Sequence, residues 1–365
     1  MSAKVQNILH REHREQGFFE HVYVVQIVVT TKNFNSSYNF GIEVVAAFLL
    51  LRLYRNEMYQ CLRFPLDAWW FVKNLLYLPK KQRIMNRNRF LELEAEIKGI
   101  IGESFAKAIK KRPSDFVLLM ARGGYHKHLD RPDLDLTPFV LEDRVDFLMD
   151  LTRKKFFVRY LNNYVDRLNN KITLNGDDLE YEMNIQMMIY CHIWESHLFL
   201  NQLERLAFIQ QGKEYLWISE TPFNSKKNFI NHKIIDRFVK TDKNMVNLIK
   251  SCYLEDLRNA FAHSTYFING NRIYANENGL FEGKSISFDY WDDIFVRSVL
   301  LSYHLNDMLL EIKNHYIEDA GDSPVEINMP MKNNHKERRG VLIKPEPYEG
   351  KEEKVRFRFM TKEEM

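Results

Sequence analysis

The chain has 365 residues, enough for one large domain or two ordinary ones. Its 52 basic and 49 acidic residues leave a formal net charge of only +3, which argues against a polybasic, histone-like binder but permits a local basic groove. Three scattered cysteines, Cys61, Cys191 and Cys252, form no CxxC pair, so neither a disulfide framework nor a zinc knuckle is supported, and a reducing, cytoplasmic setting is expected.

The polar opening, Met1 to Gly17, does not read as a secretory signal. Phe18 to Thr31 is rich in Val, Ile and aromatics and favours a strand over a buried helix. Ile42 to Leu78 reads as helix interrupted near Pro65. A bilayer span needs roughly 20 apolar residues. Arg52 and Arg55 follow the most apolar run, Val44 to Leu51, so residues 42–62 are expected as a buried helix, with membrane-surface docking as the alternative.

Phe90 to Ile109 has helical spacing and stops before Pro113. The stretch from Gly123 to Pro138 is a loop. Its His126, His128 and Asp130 lack a matching cluster elsewhere, so an exposed loop is expected rather than a metal site. Helical spacing returns from Leu141 to Leu168, and a loop holds Asn175-Gly176. Tyr181 to Ile209 and Lys243 to Ala262 are each expected as one amphipathic helix, separated by a loop around Pro222. Tyr266 to Tyr274 reads as a hairpin turning at Asn269-Gly270, and Trp291 to Tyr316 as a long closing helix. From about Asp319 the chain is charged and carries prolines; a flexible tail is expected, although Lys354 to Phe359 alternates like a strand.

The run Arg258-Asn259-Ala260-Phe261-Ala262-His263 carries the clearest chemistry. Arginine binds phosphate through a planar, permanently charged fork. Imidazole can take or give a proton near neutral pH, and an asparagine can orient it. In RNA the nucleophile is already present as the 2′-hydroxyl, so no metal or cofactor is required. On a regular helix Asn259 and His263 share a face, whereas Arg258 and His263 diverge by roughly 140°. One helix therefore holds the pair poorly on one substrate, and two copies across a symmetry axis are expected to build the site. The plainer alternative is a helix-terminal histidine favoured by the dipole, beside a solvated arginine.

Leu257 to His263, LRNAFAH, resembles the Arg-x4-to-6-His signature of the HEPN superfamily. The resemblance covers roughly residues 179–316, with a long preceding helix, the motif at a helix end, a hairpin and a closing helix. It implies a mainly α fold, a HEPN-like bundle with a short β-hairpin that dimerises through the motif helices. It also implies a metal-independent RNA endonuclease that leaves a 2′,3′-cyclic phosphate. In that reading Arg258 binds the scissile phosphate, His263 transfers a proton and Asn259 supports it, while His192 and Glu195 are candidate polar contributors from the earlier helix. Thr265 stands where some toxin members carry a modifiable tyrosine, and Tyr266 comes one later.

The domains are expected as 1–170, a sensing or regulatory part, 171–318, the nuclease, and 319–365, the tail. A conditional toxin or antiviral defence effector fits, with RNA, a second copy and a regulatory protein or phage trigger as partners, and no membrane. A non-catalytic module that dimerises and binds RNA or nucleotide is the alternative. The basic residues Arg153, Lys154, Lys155, Lys226, Lys227, Lys336, Arg338 and Arg339 read as solvated faces or as holders of RNA backbone.

Overall fold

The computed structural model describes residues 85–365, apart from breaks at 135, 143, 173, 175, 276–284, 322, 349–350, 362 and 365. The strand expected at Phe18 to Thr31 and the helices expected between Ile42 and Leu78 lie outside the described residues. The fold is mainly helical with small antiparallel sheets. The helices are α1 (Arg87–Lys111), α2 (Pro113–Ala121), α3 (Arg144–Asn169), α4 (Gly176–Glu195) and α5 (His197–Gln210). Then come a helical stretch, α6 (226–238), with a π-helical run at Phe229–Ile235, α7 (Lys243–Cys252), α8 (Glu255–Ala262) and α9 (Phe288–Ala320). Among the described residues no helix is long and apolar enough to cross a membrane.

Helix starts follow local chemistry. Asn86, Ser196, Asp242 and Ser287 each accept a hydrogen bond from the backbone N–H three residues on, which satisfies one orphan donor per helix. Pro113 does not merely stop α1; it opens α2, where its missing N–H costs nothing.

The core is organised around α5 and α9. Almost every residue of α5 is buried, polar ones included, and several of those find partners, although Gln202 has none for its side chain among the described residues. Gln210 donates to Ser104 and Asp242, and Glu204 pairs with Arg237. Along α9, Trp291, Phe295, Val299, Leu301 and Leu305 face inward against α1, α4 and α7. Phe105 and Ile101 of α1 join the same apolar cluster as Leu200 and Leu203 of α5.

Three expectations change here. The boundary expected at residue 170 falls inside one compact unit, Pro79–Met365, because α1 and α2 supply core to the helices beyond it. The helix expected from Tyr181 to Ile209 is two, because Ser196 leaves helical geometry to cap α5. The segment expected as a flexible tail is a three-stranded antiparallel sheet of β6 (Val325–Pro330), β7 (Arg338–Tyr348) and β8 (Lys351–Phe359). Its Ile327, Met329, Ile343 and Phe357 are buried, and Asn328 accepts a hydrogen bond from Trp217 at 3.2 Å. Two earlier strands, β1 (Gly124–Tyr125) and β2 (Phe139–Val140), pair at the two ends of the expected loop. The expected hairpin forms as β3 (Tyr266–Asn269) and β4 (Arg272–Ala275), joined by β5 (Ser285–Ser287). Asn269 pairs with Arg272, so the turn is Gly270-Asn271 with positive φ, 57°, at the glycine.

One buried acid opposes folding. Asp292 of α9 is enclosed, and burial pushes its carboxyl up to about 7, although a backbone contact at Met85 pulls the other way. A raised folded value means that the native state holds the proton while the unfolded chain has released it. Stability is therefore lost as pH rises from about 4 through about 7. Asp292→Asn is expected to raise the melting temperature by a few degrees at pH 8 and by less at pH 5. Equal effects at both pH values would show that Asp292 is not the titrating group.

Candidate active site

The motif stands on its own short helix. The single helix expected from Lys243 to Ala262 breaks at Tyr253 and Leu254, where the backbone is extended. A core side chain pins the break. The hydroxyl of Tyr190, fully buried in α4, accepts from the Leu254 N–H at 2.8 Å and donates to the Leu254 carbonyl at 3.4 Å. Glu255 and Asp256 then sit in the first turn of α8, where the helix dipole favours acids. Leu257, Ala260 and Phe261 form its buried stripe, with the Phe261 ring 5.3 Å from Trp291 and 5.0 Å from Tyr266.

The far end closes in a Schellman pattern. Thr265 N–H donates to Ala260 O at 2.8 Å and Ser264 N–H to Phe261 O at 3.2 Å. The left-handed position, φ 55°, is occupied by Ser264 where glycine is usual, at a cost of roughly 1–2 kcal/mol. His263 is the cap residue immediately before it, exposed to solvent.

Arg258 points the other way. Its side chain is 16% exposed, and its guanidinium forms an ion pair with Glu195, the last residue of α4. Another nitrogen donates to Asn259 Oδ1 at 2.7 Å, and the buried Nε has no hydrogen-bond partner among the described residues. The second oxygen of Glu195 holds the buried ammonium of Lys226, at the start of α6. One carboxylate thus gathers two cations from two separate segments. Burial lowers the pKa of Arg258, against the opposing influence of Cys191 and Tyr190. It lowers that of Lys226 as well, with Arg153 adding to the effect. Cys191 is itself pushed up to about 11 by burial, so its thiol stays protonated.

Of the five sequence candidates, Arg258, Asn259 and Glu195 are in contact. The His263 ring makes no hydrogen bond with a described residue. His192, one turn before Glu195, is largely exposed and faces a separate cleft; partial burial and then Arg153 lower its pKa. Lys226 is the addition. The sequence marks it only as one basic residue among many, and nothing local signals a partner 31 positions away (Glu195 to Lys226).

No protein-family model, curated protein or solved structure matches the chain.

Among the described residues no group of three His, Cys, Asp or Glu side chains could hold a metal ion. Asp130 accepts from Tyr125 at 2.6 Å and lies 3.5 Å from His335, so it is engaged in local contacts. Lys227 pairs with Glu255 and Arg338 with Glu214.

Tyr190→Phe removes the hydroxyl that bridges the α7–α8 break. It should cost about 1–3 kcal/mol by leaving the Leu254 N–H unpaired. Denaturant unfolding is the measurement, and an unchanged midpoint would mean that the hydroxyl does not hold the break.

Proposed function

We propose that the chain is a metal-independent RNA endonuclease acting as a homodimer, and that it serves as a conditional toxin or antiviral defence effector. The observation that carries this reading is the disposition of the motif. Arg258 and Asn259 are hydrogen-bonded to each other at the protein's inner side of α8, while His263 stands exposed at its cap.

The chemistry requires three acts. The 2′-hydroxyl loses a proton and its oxygen bonds to phosphorus. The bond from phosphorus to the 5′-oxygen breaks. That oxygen takes up a proton, and the other product ends in a 2′,3′-cyclic phosphate. Arg258 supplies the fixed positive charge for the phosphoryl oxygens. His263 exchanges protons, and two copies across a dyad supply one imidazole for each transfer. Asn259 holds Arg258 and so fixes the geometry of the guanidinium. Glu195, itself held by Lys226, anchors the guanidinium from behind.

A second reading has its own support. Glu195 already neutralises Arg258 within one chain, which suits a non-catalytic module that dimerises and binds RNA or nucleotide.

The two readings separate in a gel assay with EDTA present. Arg258→Gln and His263→Ala are each expected to lower cleavage of single-stranded RNA about 100-fold or more, with a cyclic-phosphate product from the wild type. Melting curves check that both variants fold. Cleavage that survives both changes overturns the nuclease reading. Wild-type RNA binding without cleavage favours the second.

A further inference from the structure

A separate open cleft lies between the end of α2, α3, α4, α5 and α9. Its wall is cationic. Arg122, Arg153 and Lys154 line it together with His192. The charges feel one another: Arg122 lowers the pKa of Lys154, although burial is the larger cause, and Arg153 acts likewise on His192 and on Lys226. Asp307 is the acid that acts on Lys154, and the ammonium has no ion pair among the described residues.

The rest of the lining is not that of a plain salt site. Phe156 is 44% exposed beside the cations, and Phe157 and Phe199 contribute apolar surface deeper in. Asn306 of α9 donates through its amide nitrogen to Ser302 O at 3.0 Å. Its side-chain oxygen is buried, without a partner among the described residues. A buried acceptor of that kind is costly unless a donor arrives. Arg122 itself is held at a left-handed φ of 58°, a conformation that disfavours arginine and is offset by its helix-end hydrogen bonds to Leu118 and Leu119.

Cations, an aromatic face and an unpartnered acceptor together match one ligand chemistry. We propose that this cleft binds a nucleotide: the phosphate between Lys154 and the two arginines, the base against Phe156, and a base amine or ribose hydroxyl donating to Asn306 Oδ1. The proposal deepens the RNA reading above and places one nucleotide of the bound strand away from the cut. His192 and Glu195 are a turn apart on α4, so the cleft and the Arg258 cluster are neighbours on one helix.

The test is fluorescence anisotropy with a short labelled 2′-O-methyl RNA, which cannot be cleaved, in EDTA. Lys154→Met and the exposed Arg153→Gln are compared with wild type across a salt series, with melting curves as controls. Each variant is expected to bind about 10-fold more weakly. Each should also reduce the slope of log affinity against log salt by about 0.7 for every phosphate that is no longer neutralised. AMP is then titrated alone. If AMP binds the wild type and not Lys154→Met while RNA affinity is unchanged, the nucleotide is a free one and the cleft assignment stands. Wild-type affinity and slope for RNA in both variants, with no AMP binding, overturns it. Because no cleavage is read, loss of the nuclease reading leaves this result interpretable.

Discussion

Two cations, one buried and one half-buried, share one carboxylate. Arg258 and Lys226 come from segments that do not touch in sequence, and both reach Glu195 at the end of α4. A cation taken out of water without a partner is expensive, so Glu195 fixes where α6 and α8 sit relative to α4. It also decides what Arg258 offers to a substrate. A guanidinium tied to Glu195 and Asn259 has lost much of its rotamer freedom before any phosphate arrives. The same tie partly cancels its charge. The proposed catalytic and non-catalytic readings differ only in how much of that charge remains for an incoming anion.

The helices of the core were legible because their apolar spacing is strong. Arg87–Lys111 and Arg144–Asn169 are close to the periodicity that marks them. The breaks were not legible, and the reason is physical. Apolar spacing continues straight through Ser196 and through Tyr253-Leu254, with no glycine or proline to interrupt it. Ser196 acts as a cap only because its chain turns there, and the second break depends on Tyr190, more than sixty residues earlier. The C-terminal sheet was hidden by its prolines. Pro345 and Pro347 sit in β7, which looks like a central strand and should reject them. Yet β6 pairs with β7 only as far as Ile343, so both prolines lie where one edge of β7 faces no described strand. At the site, the types and spacing of Arg258, Asn259 and His263 could be read directly. Lys226 could not, because its partner is set by tertiary packing.

The direction of the two motif side chains bears on dimerisation. The helical angle alone separates Arg258 from His263 by roughly 140°. The fold turns that angle into an inside and an outside. Arg258 packs against α4, while His263 sits on the Schellman cap facing solvent. The strained left-handed Ser264 prevents α8 from continuing and carrying the histidine further round. A single chain therefore presents its imidazole outward and keeps the guanidinium behind. In the proposed enzyme a second copy brings its own histidine towards that surface, so that proposal calls for a dimer.

Charge continues past the motif in one direction. Arg153 acts on Lys226 and on His192, and Arg122 acts on Lys154, so basic side chains that feel one another run from the Glu195 cluster to the cleft beside α3. Like charges placed this close work against one another. Each depresses the charged form of its neighbour, a cost that a bound polyanion relieves. An arrangement of this kind is tolerated because the net charge of the whole chain is nearly balanced, with acids such as Asp307 and Glu195 at its margins. The near-neutral composition that spoke against a polybasic binder is therefore compatible with a local run of cations. An RNA strand occupying it would meet fixed cations first and the exposed His263 only where a second copy completes the site.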